Sequence, residues 1–187
     1  MKSNDVMAAI EEWTAWASKP ETNCYDVALL KIWISFEHFL GELFVNYAIG
    51  NASETGYHPK LKIQFQDEEH FNVFMREKNT MYIEYLEKIE KLSRHIFYDN
   101  PFDVLLLDAD NKRVFAQLKA LRNYIVHESG SAKRKVIDIC FSGDERRFME
   151  PNKFLLSKEP STRTSYYTYY TTMISNIVQA VIVQTSI

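Results

Sequence analysis

Three side chains in the stretch ALRNYIVHESG, Ala120 to Gly130, carry groups able to do chemistry: the guanidinium of Arg122, the amide of Asn123 and the imidazole of His127. An imidazole with an ordinary pKa of about 6.5 takes or gives a proton near neutral pH, so His127 suits general acid or base work. A guanidinium offers a rigid fork of donors, so Arg122 suits holding a phosphate and the charge that develops on it. The amide of Asn123 does not titrate, and its use would be to orient His127 or the phosphate. Directly after them, SAKRK sets Lys133, Arg134 and Lys135 near His127 in sequence. A histidine, an arginine, an amide and three further cations make a cluster for phosphate binding and proton transfer.

The element that must position these groups is a helix predicted from about Asn111 to Glu128 and ended at Gly130. At about 100° per residue, Val114, Leu118, Leu121 and Ile125 share one apolar stripe that faces a core. Lys119 and His127 lie about 40° to either side of Asn123, forming a polar stripe nearly opposite. Arg122 sits about 100° round, with a stem long enough to swing towards that stripe. Ala116 and Ala120 are small residues beside the polar ones and leave room for a second helix. A solvated helix end accounts for the same residues more simply, since a histidine there complements the helix dipole. The basic run that follows is what favours a site.

Around this helix the chain reads as one all-α domain, residues 1–187, a bundle of four or five main helices with short extra loop or strand segments. Its 187 residues are 46% apolar and include only five glycines and five prolines, which disfavours a turn-rich β architecture. A first helix runs from about Asp5 to Ser18, with Ser3 or Asn4 as its cap and Pro20 beyond it. A second, about Cys24 to Ile49, repeats Leu29, Trp33, Phe36, Leu40, Leu43 and Tyr47 at steps of four and three, with Gly50 placed to close it. Short helical segments follow at DEEHFNVFMRE and DVLLLDAD, with a brief extended piece at Lys60 to Phe65. A longer helix is expected over Met81 to Phe97, with ion pairs Glu84–Lys88, Glu87–Lys91 and Glu90–Arg94. Another lies over Ala132 to Phe141. Residues 142–162 read as loop with one short strand, before a last helix from about Thr162 whose YYTYYTTM packs as core and rim.

Several function classes lose support. The net charge of −3 gives no global attraction to polyanions, so any such site is a local patch. Cys24 and Cys140, far apart and without metal-type spacing, read as free thiols in a reducing compartment. The opening MKSNDVMAAIEEW turns acidic where a signal peptide turns apolar, and the apolar tail ISNIVQAVIVQTSI falls short of the roughly 20 residues that span a bilayer. The expectation is a cytoplasmic protein with no membrane partner. No phosphate-binding glycine loop or serine-hydrolase elbow is present, and no metal or cofactor is called for.

The run LRNYIVH, on a helix of a small all-α chain, resembles the signature of the HEPN superfamily: an arginine, a polar residue, and a histidine after four to six intervening positions. Arg122, Asn123 and His127 occupy those places. The resemblance implies a metal-independent endoribonuclease in which His127 and Arg122 act on RNA through its own 2′-hydroxyl, with Asn123 assisting. It implies a homodimer, two such helices meeting across a two-fold axis so that two sites together supply base and acid. Many members are toxins, controlled by an antitoxin, or antiviral defence effectors; others are non-catalytic and bind RNA, a nucleotide or a partner protein. Members silenced by nucleotide transfer carry a tyrosine two places after the histidine, where this chain has Ser129. On this reading Lys119, Lys133, Arg134 and Lys135 are added phosphate contacts, and Glu37, in the second helix, is a supporting residue behind the site.

Overall fold

The longest apolar periodicity in the sequence becomes the axis of the molecule. In the computed structural model, which describes residues 2–76 and 85–183, the helices are α1 (Ser3–Ala17), α2 (Tyr25–Ala48), α3 (Glu68–Met75), α4 (Tyr85–Ile96), α5 (Asp103–Leu106), α6 (Ala109–His127), α7 (Gly130–Cys140), α8 (Pro151–Leu156) and α9 (Tyr166–Ile182). Helix α2 packs against α1, α3, α4, α6, α8 and α9. Its Leu29, Trp33, Phe36, Leu40, Leu43 and Tyr47 are all buried, as their spacing requires, and so are Ile32, Phe39 and Phe44 at the margins of that face and Val45 beyond it. So wide an apolar face is stable only when enclosed, and Lys31, His38, Glu42 and Asn46 form the exposed side opposite it. Phe44 shows how: its ring meets Phe71, Phe97 and Phe102 edge-on at 5.4, 6.1 and 5.6 Å. One buried cluster runs from Val6 to Ile182.

Local chemistry sets the helix ends. The carboxylates of Asp67 and Asp108 accept the backbone N–H of His70 and Asn111, each at 2.8 Å, and so start α3 and α6. Gly50, at φ +87°, closes α2 where a left-handed residue is needed. The tyrosine-rich stretch is core, as expected: Tyr167 and Tyr170 are buried, and the Tyr170 hydroxyl donates to Gln117 Oε1 at 3.2 Å. The far end of α9 is held from α2, where the Tyr47 hydroxyl donates to the Val181 carbonyl at 2.8 Å.

Other expectations need correcting. The described residues contain no strand, only isolated bridges pairing Leu61 with Phe97 and Lys158 with Ser165. The extended piece near Lys60 meets the end of α4 and has no second strand to pair with. Residues 142–162 hold a 3-10 turn (Glu145–Arg147) and α8 instead of a strand. Pro151 stands at the first turn of α8, where a fixed φ and a missing N–H do no harm. Helix α1 starts at Ser3, so Ser3 lies inside it and its hydroxyl bonds Glu54. On α4 the Glu87–Lys91 pair forms, but Arg94 turns to Asp103 (3.2 Å), away from Glu90. Residues 81–84, including Glu84 of the first expected pair, lie outside the described residues. Among those described, no helix is long and apolar enough to cross a membrane.

The turn before α9 is organised by one carboxylate. Glu159 Oε2 accepts from Ser161 N (2.9 Å), Ser161 Oγ (2.6 Å), Thr162 N (2.7 Å) and Thr162 Oγ1 (3.0 Å). Burial raises its pKa, but these bonds outweigh that and leave it below the ordinary carboxyl value. A lowered folded pKa adds stability that is full above the unfolded value and is lost as pH falls through the folded one. Thermal melts from pH 7 to pH 3 should therefore show Glu159→Gln less stable than wild type at pH 7, with the difference shrinking in acid below about 4.5. Parallel curves for the two proteins would remove this role from Glu159.

Candidate functional site

Helix α6 buries Val114, Leu118 and Leu121 as its periodicity demands, with Ile125 half-buried, but the covered face is wider than that stripe. Phe115, Ala120 and Tyr124 are also buried, because α2, α5, α7 and α9 all pack on α6. Ala120, only 3% exposed, belongs to the chain's own core. It therefore does not offer the room for a second helix that its small size suggested. Ala116 is half-buried. What remains open towards the end of α6 is an arc of about 140° carrying Arg122, Val126, Lys119, Asn123 and His127 in that order.

The helix ends within a residue of the expected Glu128, and the next one follows almost at once. His127 is the last helical residue; Glu128 takes the left-handed conformation, φ +45°, and its N–H donates to Tyr124 O at 2.8 Å. Ser129 immediately caps α7, its hydroxyl accepting Ala132 N at 3.2 Å. Gly130 thus opens α7 and does not close α6, since a serine cap one residue ahead satisfies the next helix's free N–H groups. Lys133, Arg134 and Lys135 ride on α7, within the helix expected over Ala132 to Phe141; they stand about 100° apart in turn and point in different directions. Lys133 Nζ sits 4.3 Å from the ring centre of Phe148. Arg134 Nε pairs with Asp138 Oδ1 at 3.2 Å. Lys135 is exposed and unpaired among the described residues. Lys119 faces Glu90 at a loose 3.9 Å.

Arg122 does not swing to the polar stripe. Its Nη1 donates to Asn123 Oδ1 at 3.0 Å, while its Nε is turned inward and buried. There it lines a narrow crevice between α2 and α6 with Leu29, Leu30, Trp33, Leu118 and Ile125. The amide oxygen of Asn123 therefore positions the guanidinium, and the exposed His127 ring has no hydrogen-bond partner among the described residues. The structure joins Arg122 to Asn123 and places His127 one helical turn beyond them. Glu37 is half-buried on α2, one turn from Trp33.

Two residues beside the site were not singled out by sequence reasoning. Tyr124, buried next to Asn123, directs its hydroxyl to the Glu150 carboxylate (Oε2 at 3.2 Å); burial and then the Glu150 charge raise its pKa. Trp33 is read from sequence only as one more apolar repeat on α2, yet its indole Nε1 shares with Arg122 Nε the lack of any acceptor among the described residues. A buried donor left so costs about 1–3 kcal/mol. His58, His70 and His95 are exposed, as expected of surface residues. Cys24 and Cys140 are free thiols, and burial pushes Cys140 up to about 12, which leaves it unreactive at neutral pH. Among the described residues no group of three or more His, Cys, Asp or Glu is placed to hold a metal ion.

The left-handed turn at Glu128 is testable by itself. A non-glycine residue there costs about 1–2 kcal/mol, and the added chain freedom of glycine offsets about 0.5–1 kcal/mol of the relief. Glu128→Gly should raise the melting temperature by about 1–4 °C by calorimetry, and a lowered value would mean that the Glu128 side chain is itself stabilising.

No protein-family model, no curated protein and no solved structure matches this chain.

Proposed function

We propose that the chain is a metal-independent endoribonuclease of the HEPN type. The observation that carries this reading is the open arc at the end of α6, which has an arginine held by its neighbouring asparagine at one edge and, at the other, an imidazole with no partner among the described residues. RNA supplies the nucleophile. His127 removes the proton of a 2′-hydroxyl, whose oxygen attacks the adjacent phosphorus; the bond to the 5′-oxygen breaks, leaving a 2′,3′-cyclic phosphate and a 5′-hydroxyl. Arg122 neutralises the charge that grows on the phosphate oxygens, with Asn123 holding its Nη1 edge. Lys119 and the exposed Lys135 add local attraction for the strand, with Lys133 and Arg134 at its margin.

The departing 5′-oxygen needs a proton as well, and one imidazole cannot supply both services at once. A second copy supplies the other. Val126 and Ile34, 47% and 38% exposed, are apolar residues on α6 and α2, and they support a homodimer formed along this face. In a cytoplasmic setting such an enzyme would act as a toxin or antiviral defence effector held in check by an antitoxin or another defence protein. The inward turn of Arg122 Nε, towards α2, favours a second reading in which the same face holds RNA, a nucleotide or a partner protein without cutting.

Incubation of the purified protein with mixed RNA in EDTA separates the two. Cleavage to 2′,3′-cyclic ends should fall by about 10²–10⁴-fold in His127→Ala and comparably in Arg122→Ala, with wild type running as a dimer on sizing. Equal cleavage by all three proteins, or tight RNA binding with none, overturns the nuclease reading.

A further inference from the structure

The isolated bridge between Leu61 and Phe97 arranges its neighbours as well as its own two side chains. It is closed by the N–H of Lys62 donating to Ile96 O (2.7 Å) and that of Tyr98 donating to Lys60 O (2.8 Å). Phe97 is buried and Leu61 half-buried, so this pair faces inward. The next residues on each strand of such a pair face the other way, so Lys60 and Tyr98 stand opposite one another on the outside, their Cβ atoms about 5 Å apart. Lys62 shares that outer face: its Nζ lies 5.6 Å from the centre of the Tyr98 ring and donates to Arg94 O at 2.6 Å. Tyr98 is 67% exposed, and neither its hydroxyl nor the Lys60 amino group has a partner among the described residues. Backbone bonds thus hold an exposed aromatic ring between two ammonium groups. Of the nearby acids, Asp103 is taken up by Arg94 (3.2 Å) and Asn100 (2.9 Å), and the exposed Asp99 is outnumbered.

We propose that Tyr98, Lys60 and Lys62 form a contact for single-stranded RNA, one base stacking on the Tyr98 ring while the two lysines attract the phosphates that flank it. Every base has a π face to offer an exposed ring, and only an unpaired strand leaves that face open. Lys62 lies at one face of the ring, which leaves the other to the base. Its amino group spends one donor on Arg94 O and keeps two for a phosphate. Cations beside a lone ring suit a ligand whose aromatic part is joined to anionic groups, whereas an apolar peptide would need a wider apolar surface. The position is apart from His127. Lys119 faces Glu90 at 3.9 Å, Arg94 bonds Asp103, and Asn111 Nδ2 donates to Val104 O at 3.0 Å, so the end of α4 lies towards the start of α6. His127 is at the other end of α6, roughly 20 Å away. The ring therefore holds a nucleotide several places from the scissile bond, with Lys119 between the two. The inference rests on the nuclease reading only in naming the strand as RNA.

The test measures binding of a fluorescein-labelled, unstructured 2′-O-methyl RNA, which lacks the nucleophile for cleavage, to the full chain by fluorescence anisotropy. Tyr98→Leu keeps apolar bulk without a π face, Tyr98→Phe keeps the ring, and Lys60→Gln removes one charge; melting curves confirm that each variant folds. Tyr98→Leu should raise Kd by about 5- to 150-fold, and Tyr98→Phe should bind as wild type does. Lys60→Gln should lower the slope of log Kd against log salt by about 0.7, a slope that Tyr98→Leu leaves unchanged. Unaltered affinity in Tyr98→Leu, or equal losses in Tyr98→Leu and Tyr98→Phe, overturns the proposal even if RNA is cleaved. Displacement of the oligonucleotide by polyglutamate at equal charge concentration also overturns it, since an acidic peptide would then be the partner. Conversely, binding that depends on the Tyr98 ring in a chain that cleaves no RNA upholds the contact while the nuclease reading fails.

Discussion

Helix α2 cannot be left in water, and most of the structure follows from that. Trp33, Phe36, Phe39, Phe44 and Tyr47 spread over about 140° of the circumference of a 24-residue helix, a face too wide for one neighbouring helix to cover. Six other helices do so together. Short pieces such as α3 and α8 exist for this reason: Phe71 of one and Phe154 and Leu155 of the other close gaps that the longer helices leave. Even polar side chains near α2 serve the enclosure, as when Tyr47 satisfies a carbonyl at the end of α9 that would otherwise be buried without a donor.

The same constraint fixes what α6 can present. One side is committed to α2 through Leu118, Leu121 and Arg122's own stem, and α5, α7 and α9 claim others. Only an arc near the helix end stays open. The polar residues of that arc are thus a consequence of packing as much as of chemistry, and the guanidinium lies on the boundary between the two regimes. Its Nη1 edge belongs to the polar face through Asn123; its Nε edge belongs to the apolar seam.

Periodicity made the helices and their inward faces legible in the sequence, because burial on α2, α6 and α9 repeats with the turn of the helix: Leu29 to Tyr47, Val114 to Leu121, Tyr170 to Ile182. Competition between neighbouring signals was harder to read. Gly130 reads as a helix stop, but Ser129 one place earlier is a helix start, and the start prevailed. Residues 142–162 read as loop with one short strand, and Pro151 opens α8 there instead. Ala120 looked like room for a partner because a helical wheel shows angle and not neighbours; α6 is covered on more sides than one stripe suggests. The direction of Arg122 depended on a side-chain torsion and on Trp33, 89 positions earlier in the chain, and no spacing rule contains that information.

The two-residue junction of Glu128 and Ser129 divides the frame that carries Arg122 and His127 from the frame that carries Lys133, Arg134 and Lys135. Arg122 is half-buried at the seam with α2, and His127 stands where the same helix hands over to α7. The distance from the imidazole to those three cations therefore depends on the angle between α6 and α7. A neighbour that tilts α7 by a few degrees changes that distance without touching His127.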